Sequence, residues 1–337
     1  MLLQENISLK PYNSFGIEAI AQYYSPVNTM ELLHELMTEQ EQLKQKIFVL
    51  GGGSNVLLTK NFDGWVLHNQ LKGISIIEET AETVYLKAMA GESWHGLVQH
   101  CVANNWGGIE NLSLIPGHVG AAPIQNIGAY GVELKDVLHE VEAMLIADQS
   151  IIQLSNKDCL FGYRDSIFKR ALKNQSIITS VTLKLSKKPV FKISYGAIED
   201  ELEKMNISSL NVAAISQAVI HIRSSKLPNP TIIGNAGSFF KNPVIPKIQY
   251  DTLLQSFPQI PSFPSGEAIK IPAGWLIEQC GWKGYRKDDA GCYEKQALVL
   301  VNYGKATGNE IYELSSAIIE SVQEKFNISL EREVNIL

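Results

Sequence analysis

The residues with the clearest potential for chemistry lie in a glycine-rich segment at positions 111–131, which reads NLSLIPGHVGAAPIQNIGAYG. Small residues leave little side-chain bulk in this segment, and it contains no Asp, Glu, Lys or Arg. Glycine allows a backbone to approach a ligand closely and to adopt positive φ, and successive backbone N–H groups can bind an anion. The segment therefore predicts a surface for a flat ligand that carries phosphate.

The first glycine cluster along the chain, GGGSN at 51–55, follows the buried-strand pattern IFVL at 47–50. The cluster lacks the Gly-Lys-Ser/Thr of a P-loop and the GxGxxG that opens a helix in a Rossmann fold. A tight turn between strands explains this cluster equally well when it is considered alone, because glycine is common in turns. It supports ligand binding only in combination with the longer segment.

Polar side chains elsewhere could act on a bound ligand, and each also has an ordinary structural explanation. The Arg164 guanidinium could hold a carboxylate in a fork, or it could form a surface ion pair with Asp165 or another carboxylate. Ser238 could cap a turn, and without a GxSxG motif or a histidine nearby in sequence it is not a hydrolase nucleophile. Glu331 and Glu333 share the polar face of the last predicted strand, and alternation alone does not choose between them.

The composition excludes several classes of protein. A length of 337 residues favours two or three domains, and 45% hydrophobic with 19% charged residues is ordinary for a globular chain. A net charge of −6 argues against nucleic-acid binding. The four cysteines have no CxxC or zinc spacing, the N-terminus has no apolar leader, and no run approaches the roughly 18 apolar residues of a membrane span. We therefore expect a cytoplasmic protein without a metal site or a membrane segment.

Hydrophobic periodicity indicates the elements that must position these residues. Strands are predicted for AQYYSP, IFVL, WVLHNQ, ISIIEE, VYLKAMAG, VEAMLIA, IITSVTLKL, ALVLVN and, at the end of the chain, ISLEREVNI. Helices are predicted after a capping box at Asn28 and Glu31, over 93–105, 215–223 and 273–280, and after a capping box at Thr307 and Glu310. The two prolines of SKLPNP at 225–230 are typical of a linker.

The longer glycine segment, through the pattern PGxxGAAPIQNIGAYG, is similar nearly letter for letter to the FAD-binding segment of the UDP-N-acetylenolpyruvoylglucosamine reductase (MurB) family. Further blocks resemble the family in order along the whole chain: PYNSFGIEA at 11–19, FGYRDSIFK at 161–169, SYG at 194–196, SKLPNP at 225–230, GNAGSFFKNP at 234–243, IPAGWLIEQCG at 271–281, QALVLVN at 296–302 and LEREV at 330–334. Ser14 stands where the family's N-terminal signature has threonine. These blocks resemble the long-form members.

The resemblance implies an α+β fold, with a two-part FAD-binding region of the vanillyl-alcohol oxidase type and a third α+β domain on the substrate side. The expected boundaries are 1–64 for the N-terminal FAD-binding domain, 65–222 with the C-terminal strand 325–337 for the central FAD-binding domain, and 223–324 for the substrate-binding domain. The implied cofactor is FAD, clamped through its diphosphate by the two glycine loops. NADPH is the implied co-substrate.

Site residues follow from the matching positions. Those expected to bind FAD are Asn13, Gly51, Gly52, Gly53, Ser54, Asn55, Pro116, Gly117, Gly120, Ala121, Gln125, Asn126, Ile127, Gly128, Ala129 and Tyr130. Those expected to contact the substrate are Tyr163, Tyr195, Lys226, Asn242, Lys270 and Gln296. By resemblance, Arg164 stabilises charge on the substrate carboxylate, Ser238 donates a proton to substrate carbon, and the pattern Leu-x-x-Glu-Val selects Glu333 as the third catalytic residue. Phe263 replaces a lid tyrosine, and no role follows for His118.

The implied activity is the reduction of UDP-N-acetylglucosamine enolpyruvate to UDP-N-acetylmuramate in bacterial peptidoglycan synthesis, by a monomeric enzyme. Two alternatives keep the cofactor loops. A flavoprotein oxidase of the same fold would use oxygen as its acceptor and would not need NADPH. A non-enzymatic module that binds FAD or a nucleotide would not depend on Arg164, Ser238 or Glu333.

Overall fold

A computed structural model describes residues 3–194 and 197–337 of the chain, which form two compact units. The first unit comprises Met1–Ile7, Ala21–Gly52 and Phe62–Ser225, and the second comprises Ser8–Ile20, Gly53–Asn61 and Lys226–Leu337. The first glycine cluster therefore contributes Gly51 and Gly52 to one unit and its later residues to the other. The division into three domains stays a prediction.

The described residues form α-helices and strands in a mixed order. The helices are α1 (Met30–Leu43), α2 (Trp94–Ala103), α3 (Ile198–Lys204), α4 (Val212–Lys226), α5 (Lys247–Ser256), α6 (Ala273–Gln279) and α7 (Gly308–Phe326). The strands are β1 (Gln4–Ser8), β2 (Ile20–Val27), β3 (Ile47–Leu50), β4 (Val56–Leu57), β5 (Phe62–Asn69), β6 (Ile74–Glu79), β7 (Thr83–Met89), β8 (Gly128–Ala129), β9 (Val132–Glu133), β10 (Leu138–Leu145), β11 (Ile151–Ser155), β12 (Ser176–Ser186), β13 (Gly234–Ser238), β14 (Val244–Pro246), β15 (Phe263–Ser265), β16 (Ala268–Lys270), β17 (Arg286–Lys287), β18 (Ala290–Cys292), β19 (Val299–Asn302) and β20 (Asn335–Ile336).

The N-terminal part of the first unit is a βαβ arrangement, built from the predicted strands AQYYSP and IFVL and the helix predicted between them. In the sheet ordered β1-β2-β5-β3, strand β5 pairs in parallel with both β2 and β3. Helix α1 connects β2 to β3, because parallel strands cannot be joined by a short hairpin. Its apolar residues Leu33, Leu36 and Met37 are buried with Trp65 and Leu67 of β5.

The remainder of the first unit is built on an antiparallel sheet of order β11-β10-β12-β7-β6. Strand β12 is buried along most of its length because it lies in the centre, whereas residues 75–79 of the edge strand β6 are exposed. Val119, Ala122 and Ile127 from the longer glycine segment belong to the hydrophobic core of this sheet and α2. The glycine segment is therefore anchored by its few apolar side chains, which leaves its small residues at the surface of the core.

The second unit contains an antiparallel sheet of order β13-β19-β18-β17 and a smaller one of order β14-β16-β15. The parallel pair β20-β4 joins the C-terminus to the chain that follows the first glycine cluster. Helix α7 begins with the predicted capping box: the Glu310 N–H donates to Thr307 Oγ1 at 3.3 Å, and the Thr307 N–H donates to Glu310 Oε2 at 2.6 Å.

Two predictions about the elements are wrong. The N-cap of α1 is Thr29 rather than Asn28, because Thr29 Oγ1 accepts the Leu32 N–H at 3.1 Å. The C-terminal strand predicted over 328–336 is reduced to an isolated bridge between Phe240 and Arg332 and the short strand β20. This segment changes partner along its length, from the end of β13 to β4, so no continuous ladder forms.

Among the residues that the structure describes, no helix combines the length and the apolar composition needed to cross a bilayer.

Candidate active site

The two glycine-rich segments pack against each other in the first unit. A Cβ built on Gly52 would lie 2.8 Å from the Gly117 Cα and 3.2 Å from Cδ2 of His118, whereas a Cβ on Gly51 would lie 3.6 Å from the His118 Cβ. Residues Gly52, Pro116 and Ala121 are exposed. The two backbones thus form a cradle without bulky side chains, open to solvent, of the kind that brings peptide N–H groups close to a ligand.

The pair Gly51 and Gly52 gives a matched test of this packing. Replacement of Gly52 by alanine should lower the unfolding free energy of the apoprotein by about 1–3 kcal/mol, because its Cβ would overlap a neighbouring backbone. Gly51→Ala should change it by less than about 0.5 kcal/mol, because its nearest neighbour is at an ordinary van der Waals distance. Denaturant unfolding of the two variants measures the difference, and equal losses would contradict the packing described for the two segments.

The longer glycine segment ends in the hairpin β8-β9, and hydrogen bonds of Asn126 hold the backbone where the chain enters this hairpin. The Asn126 side chain is buried and donates to Glu133 Oε2 and to the Gly162 carbonyl, both at 3.1 Å, while its Oδ1 accepts the Lys135 N–H at 3.0 Å. Its φ of +44° lies in the left-handed region, which asparagine tolerates better than most residues. Asn126 therefore shapes the loop, and its side chain is committed to protein partners.

Arg164 lies beside this hairpin. Its Nη2 donates to the Gly128 carbonyl at 2.7 Å, and its Nη1 lies 4.0 Å from Oε1 of Glu133. Asp165, the ion-pair partner considered from the sequence, pairs with Arg170 at 3.3 Å. The guanidinium of Arg164 is thus held against the glycine loop by a backbone carbonyl, which orients its positive charge in advance.

A stacked histidine pair connects the longer glycine segment, which contains His118, to β5, which contains His68. The rings of His68 and His118 are nearly parallel, with centroids 6.1 Å apart, and Nδ1 of His68 is 2.7 Å from the Tyr24 hydroxyl. Burial, with added repulsion from His118 and Lys72, lowers the pKa of His68 to about 4. The pKa of His118 is also lowered, mainly by burial and then by Lys72. Both rings are therefore neutral at pH 7.

This pair predicts a specific acid sensitivity of the apoprotein. An unfolded histidine titrates near pH 6.5, so the unfolded state binds more protons than the folded state between about pH 6.5 and pH 4. As the pH decreases from about 6.5 to 4, the unfolding free energy should decrease by about 2 kcal/mol, a value that is reduced to allow for screening by solvent. In His68→Gln the contribution of His68 to the pH dependence of thermal melts should disappear while that of His118 remains, whereas the exposed His100→Gln should retain both. An unchanged slope in His68→Gln would contradict the assignment.

In the second unit, Gly53 and Asn13 belong to one packed turn. A Cβ on Gly53, whose φ is +60°, would lie 1.9 Å from the Tyr12 carbonyl oxygen. The Asn13 side chain donates to the carbonyls of Leu9 and Ile17 at 2.9 Å and accepts the Ile17 N–H at 3.0 Å. Gly53 is thus required by protein packing. The Asn13 side chain closes this turn, and the contact of Asn13 with FAD stays a prediction.

Ser238 ends strand β13 after a bulge and is exposed, whereas Phe239, the next residue, is buried. Gly237, with φ of +69°, donates its N–H to Asn235 Oδ1 at 3.0 Å, and the Phe239 N–H donates to the Leu298 carbonyl at 2.7 Å. Bulges commonly redirect a side chain next to a functional site. The bulge here presents a hydroxyl to solvent while Phe239 enters the core.

The C-terminal segment places the two glutamates differently. The Phe240–Arg332 bridge sets Glu331 opposite Lys241 and Glu333 opposite Phe239: the Lys241 N–H donates to the Glu331 carbonyl at 2.9 Å, and the Glu333 N–H donates to the Phe239 carbonyl at 2.8 Å. The Glu331 carboxylate is 70% exposed and forms an ion pair with Lys241. Glu333 is half-buried and lies beside the residue that follows Ser238.

Most of the predicted substrate residues of the second unit surround the start of α6 and the small sheet. Asn242 Oδ1 accepts the Ala273 N–H at 2.9 Å, and Gln296 Oε1 would lie 2.9 Å from a Cβ on Gly274. In that sheet Lys270 of β16 pairs with Val244 on one side and with Phe263, which is 45% exposed, on the other. Lys226 is exposed at the end of α4. Tyr163 stacks beneath Arg164 in the first unit, and Tyr195 lies outside the described residues.

Comparisons with known proteins decide the family. The sequence matches models of an FAD binding domain over residues 21–155 and of the C-terminal domain of UDP-N-acetylenolpyruvoylglucosamine reductase over residues 229–337. It is 51% identical to the UDP-N-acetylenolpyruvoylglucosamine reductase of Amoebophilus asiaticus and 49% identical to that of Flavobacterium johnsoniae, each over 100% of both chains. The chain belongs to the UDP-N-acetylenolpyruvoylglucosamine reductase family.

Solved structures agree with this family and confirm the fold class. The reductase from Thermus caldophilus superposes with a TM-score of 0.67 at 26% identity and covers 99% of each chain. A solvent-stable cholesterol oxidase, 12% identical, has a TM-score of 0.50 over 97% of this chain and 86% of its own, and shares only the fold. The expected α+β fold with an FAD-binding region of the vanillyl-alcohol oxidase type is confirmed.

FAD fits the residues of this reductase-family chain. Gly52 and Gly117 leave a cradle that a single added Cβ would close, and this cradle lies within the part of the sequence that matches an FAD binding domain. The sequence did not predict two supporting residues. Glu133 lies near the Arg164 guanidinium, and buried Asn111 donates to the Tyr130 carbonyl at 2.9 Å. The only signal was a polar residue at the start of the glycine segment for Asn111 and shortly after its end for Glu133, which is too common to be informative.

Proposed function

We propose that this chain catalyses the NADPH-dependent, FAD-mediated reduction of UDP-N-acetylglucosamine enolpyruvate to UDP-N-acetylmuramate in bacterial peptidoglycan precursor synthesis. The observation that carries the proposal is 51% identity over the full length to a reductase named for this enolpyruvyl sugar. When bound, FAD supplies hydride transfer from the nicotinamide to the enolpyruvyl group. The side chains described above then have to hold the substrate, stabilise charge and deliver a proton.

Arg164 is proposed to bind the substrate carboxylate. Addition of hydride to C3 of the enolpyruvyl group places negative charge on C2 and on the conjugated carboxylate. A cation whose position is already fixed stabilises such charge without the reorganisation that solvent would need. The Nη2 bond to the Gly128 carbonyl supports this role, because it leaves the guanidinium oriented before substrate arrives.

Ser238 is proposed to donate a proton to C2. A serine hydroxyl is a weak acid, but the carbanion-like carbon that receives the proton is strongly basic, so the transfer is favourable in a site that excludes water. The exposed hydroxyl at the β13 bulge is accessible for this purpose. Glu333 is proposed to complete the polar end of the site.

The remaining assignments concern binding. Backbone groups of the two glycine segments are proposed to hold the FAD diphosphate, and Tyr163, Tyr195, Lys226, Asn242, Lys270 and Gln296 the sugar nucleotide. Phe263 can stack on a ring but offers no hydroxyl to the substrate. We further propose that NADPH is the physiological reductant and that the enzyme is monomeric and cytoplasmic. Light scattering would test the monomeric state, and cell fractionation would test the location.

A two-step anaerobic titration of the purified holoprotein tests the proposed function. NADPH should bleach the flavin absorbance, and the enolpyruvyl sugar nucleotide should then restore it with formation of UDP-N-acetylmuramate. Bleaching without recovery on adding the sugar nucleotide would contradict the proposed substrate. NADPH-independent turnover with peroxide release in air would instead indicate an oxidase.

A further inference from the structure

Asn55 ends the first glycine cluster, and its amide is directed towards the C-terminal segment of the same unit. Its Nδ2 donates to the backbone carbonyl of Glu333 at 3.3 Å in a part-buried environment. Its own carbonyl accepts two bonds from Asn335, from the N–H at 3.2 Å and from Nδ2 at 3.0 Å. Asn55 therefore holds the chain on both sides of Val334.

The other polar group of the Glu333 backbone is held by the strand that carries Ser238. The Glu333 N–H donates to the carbonyl of Phe239, the residue after Ser238, at 2.8 Å. Glu333 itself lies outside any regular strand, between the isolated bridge at Arg332 and β20. These two bonds therefore hold the backbone from which the Glu333 side chain extends, at a point where no continuous ladder holds it.

We propose that the Asn55 side chain is a positioning group for Glu333, and that the cofactor contact expected from the place of Asn55 in the glycine cluster is made by its backbone. Loss of its amide would leave the part-buried Glu333 carbonyl without this donor and allow the backbone to shift. A shift of that kind would misplace the carboxylate by a small distance, which is enough to slow a reaction that depends on orientation. This inference rests on the function proposed above.

Variants of the holoenzyme at Asn55 separate positioning from cofactor binding. In Asn55→Ala, and in the isosteric Asn55→Asp that lacks the N–H donor, we expect substrate-dependent recovery of flavin absorbance to slow at least 10-fold. NADPH-dependent bleaching should stay within 2-fold of wild type, and FAD affinity, from flavin fluorescence, within 3-fold. Asn335→Ala, which removes a bond to Asn55 but leaves the Asn55 amide in place, is the matched control and should stay within 2-fold in both half-reactions.

A double-mutant cycle with Glu333→Gln decides the mechanism. If Asn55 acts through Glu333, the double variant should be no more than 2-fold slower than Glu333→Gln alone. Multiplicative effects, or parallel losses in FAD affinity and both half-reactions, would overturn the positioning role and leave Asn55 as a cofactor contact. Failure of the proposed function is a different result, because wild-type enzyme would then not recover its absorbance with the sugar nucleotide.

Discussion

Replacement of Ser238 by alanine should slow substrate-dependent recovery of flavin absorbance by about 10²–10⁴-fold, the usual contribution of a positioned general acid. NADPH-dependent bleaching should stay within a few-fold of wild type, because that half-reaction transfers no proton to substrate carbon. The two half-reactions can be measured separately by anaerobic stopped-flow absorbance. Substrate affinity, measured by titration of the oxidised enzyme, should change much less than the rate.

The structure makes this variant interpretable. The Ser238 side chain is exposed, and the local backbone is held by the Asn235 Oδ1 bond to Gly237 and by the pairing of Phe239 with Leu298. None of these bonds uses the serine hydroxyl, so the variant should fold. Ser256→Ala, at the exposed end of α5, is the matched control. A similar loss in both half-reactions would show that Ser238 has a structural role and would contradict its assignment as proton donor.

Local patterns predicted the elements well wherever one short-range interaction determines them. The spacing of Thr307 and Glu310 predicted a reciprocal cap that the structure contains. The same reasoning chose Asn28 over Thr29 at α1, because adjacent residues that can both cap a helix are equivalent in sequence and differ only in backbone conformation. Helix α4 extends beyond the predicted 215–223 at both ends, by the apolar residues 212–214 and by the polar residues 224–226, and only the polar end lacks a periodic signal.

Hydrophobic periodicity could not predict which segments pair when they are far apart in the chain. Alternation places Ile328, Leu330, Val334 and Ile336 on one apolar face; the first three are buried and Ile336 is half-buried. It could not indicate that the segment would leave the neighbourhood of Phe240 and join β4, because the choice of partner depends on residues far away in the chain. The predicted strand was therefore right about faces and wrong about continuity.

In the candidate site, the sequence predicted which residue types are needed but not which contact each residue makes. Glycine content predicted the cradle, yet individual glycines serve different purposes: Gly52 permits contact with Gly117, whereas Gly53 accommodates the Tyr12 carbonyl. The side chains of Asn13 and Asn126, both predicted to lie at the cofactor, are committed to turns. A family motif shows that a residue type is needed at a position. Only the structure shows whether the side chain of that residue supports the loop or is available to a ligand.

Glu333→Gln should slow substrate-dependent recovery of flavin absorbance by about 10²-fold or more, because the carboxylate is proposed to lie at the reacting centre, where loss of one polar group commonly has an effect of this size. The change is isosteric, and the Glu333 backbone bonds to Phe239 and Asn55 do not involve the carboxylate. We therefore expect the fold and FAD content to be retained, which absorbance spectra and thermal melts can verify. The rate is again measured by anaerobic stopped-flow with the reduced enzyme.

Glu331→Gln is the decisive comparison, because the two glutamates lie two residues apart and have the same charge. The Glu331 carboxylate is largely exposed and pairs with Lys241, and an exposed ion pair contributes only about 0–1 kcal/mol to stability. Its loss should leave both half-reactions within about 3-fold of wild type, because a surface charge away from the reacting atoms is screened by solvent and salt. Equal losses in the two variants would mean that the bridge at Arg332 does not set the register assigned to this segment. A larger loss in Glu331→Gln would transfer the catalytic assignment to the residue that alternation alone could not exclude.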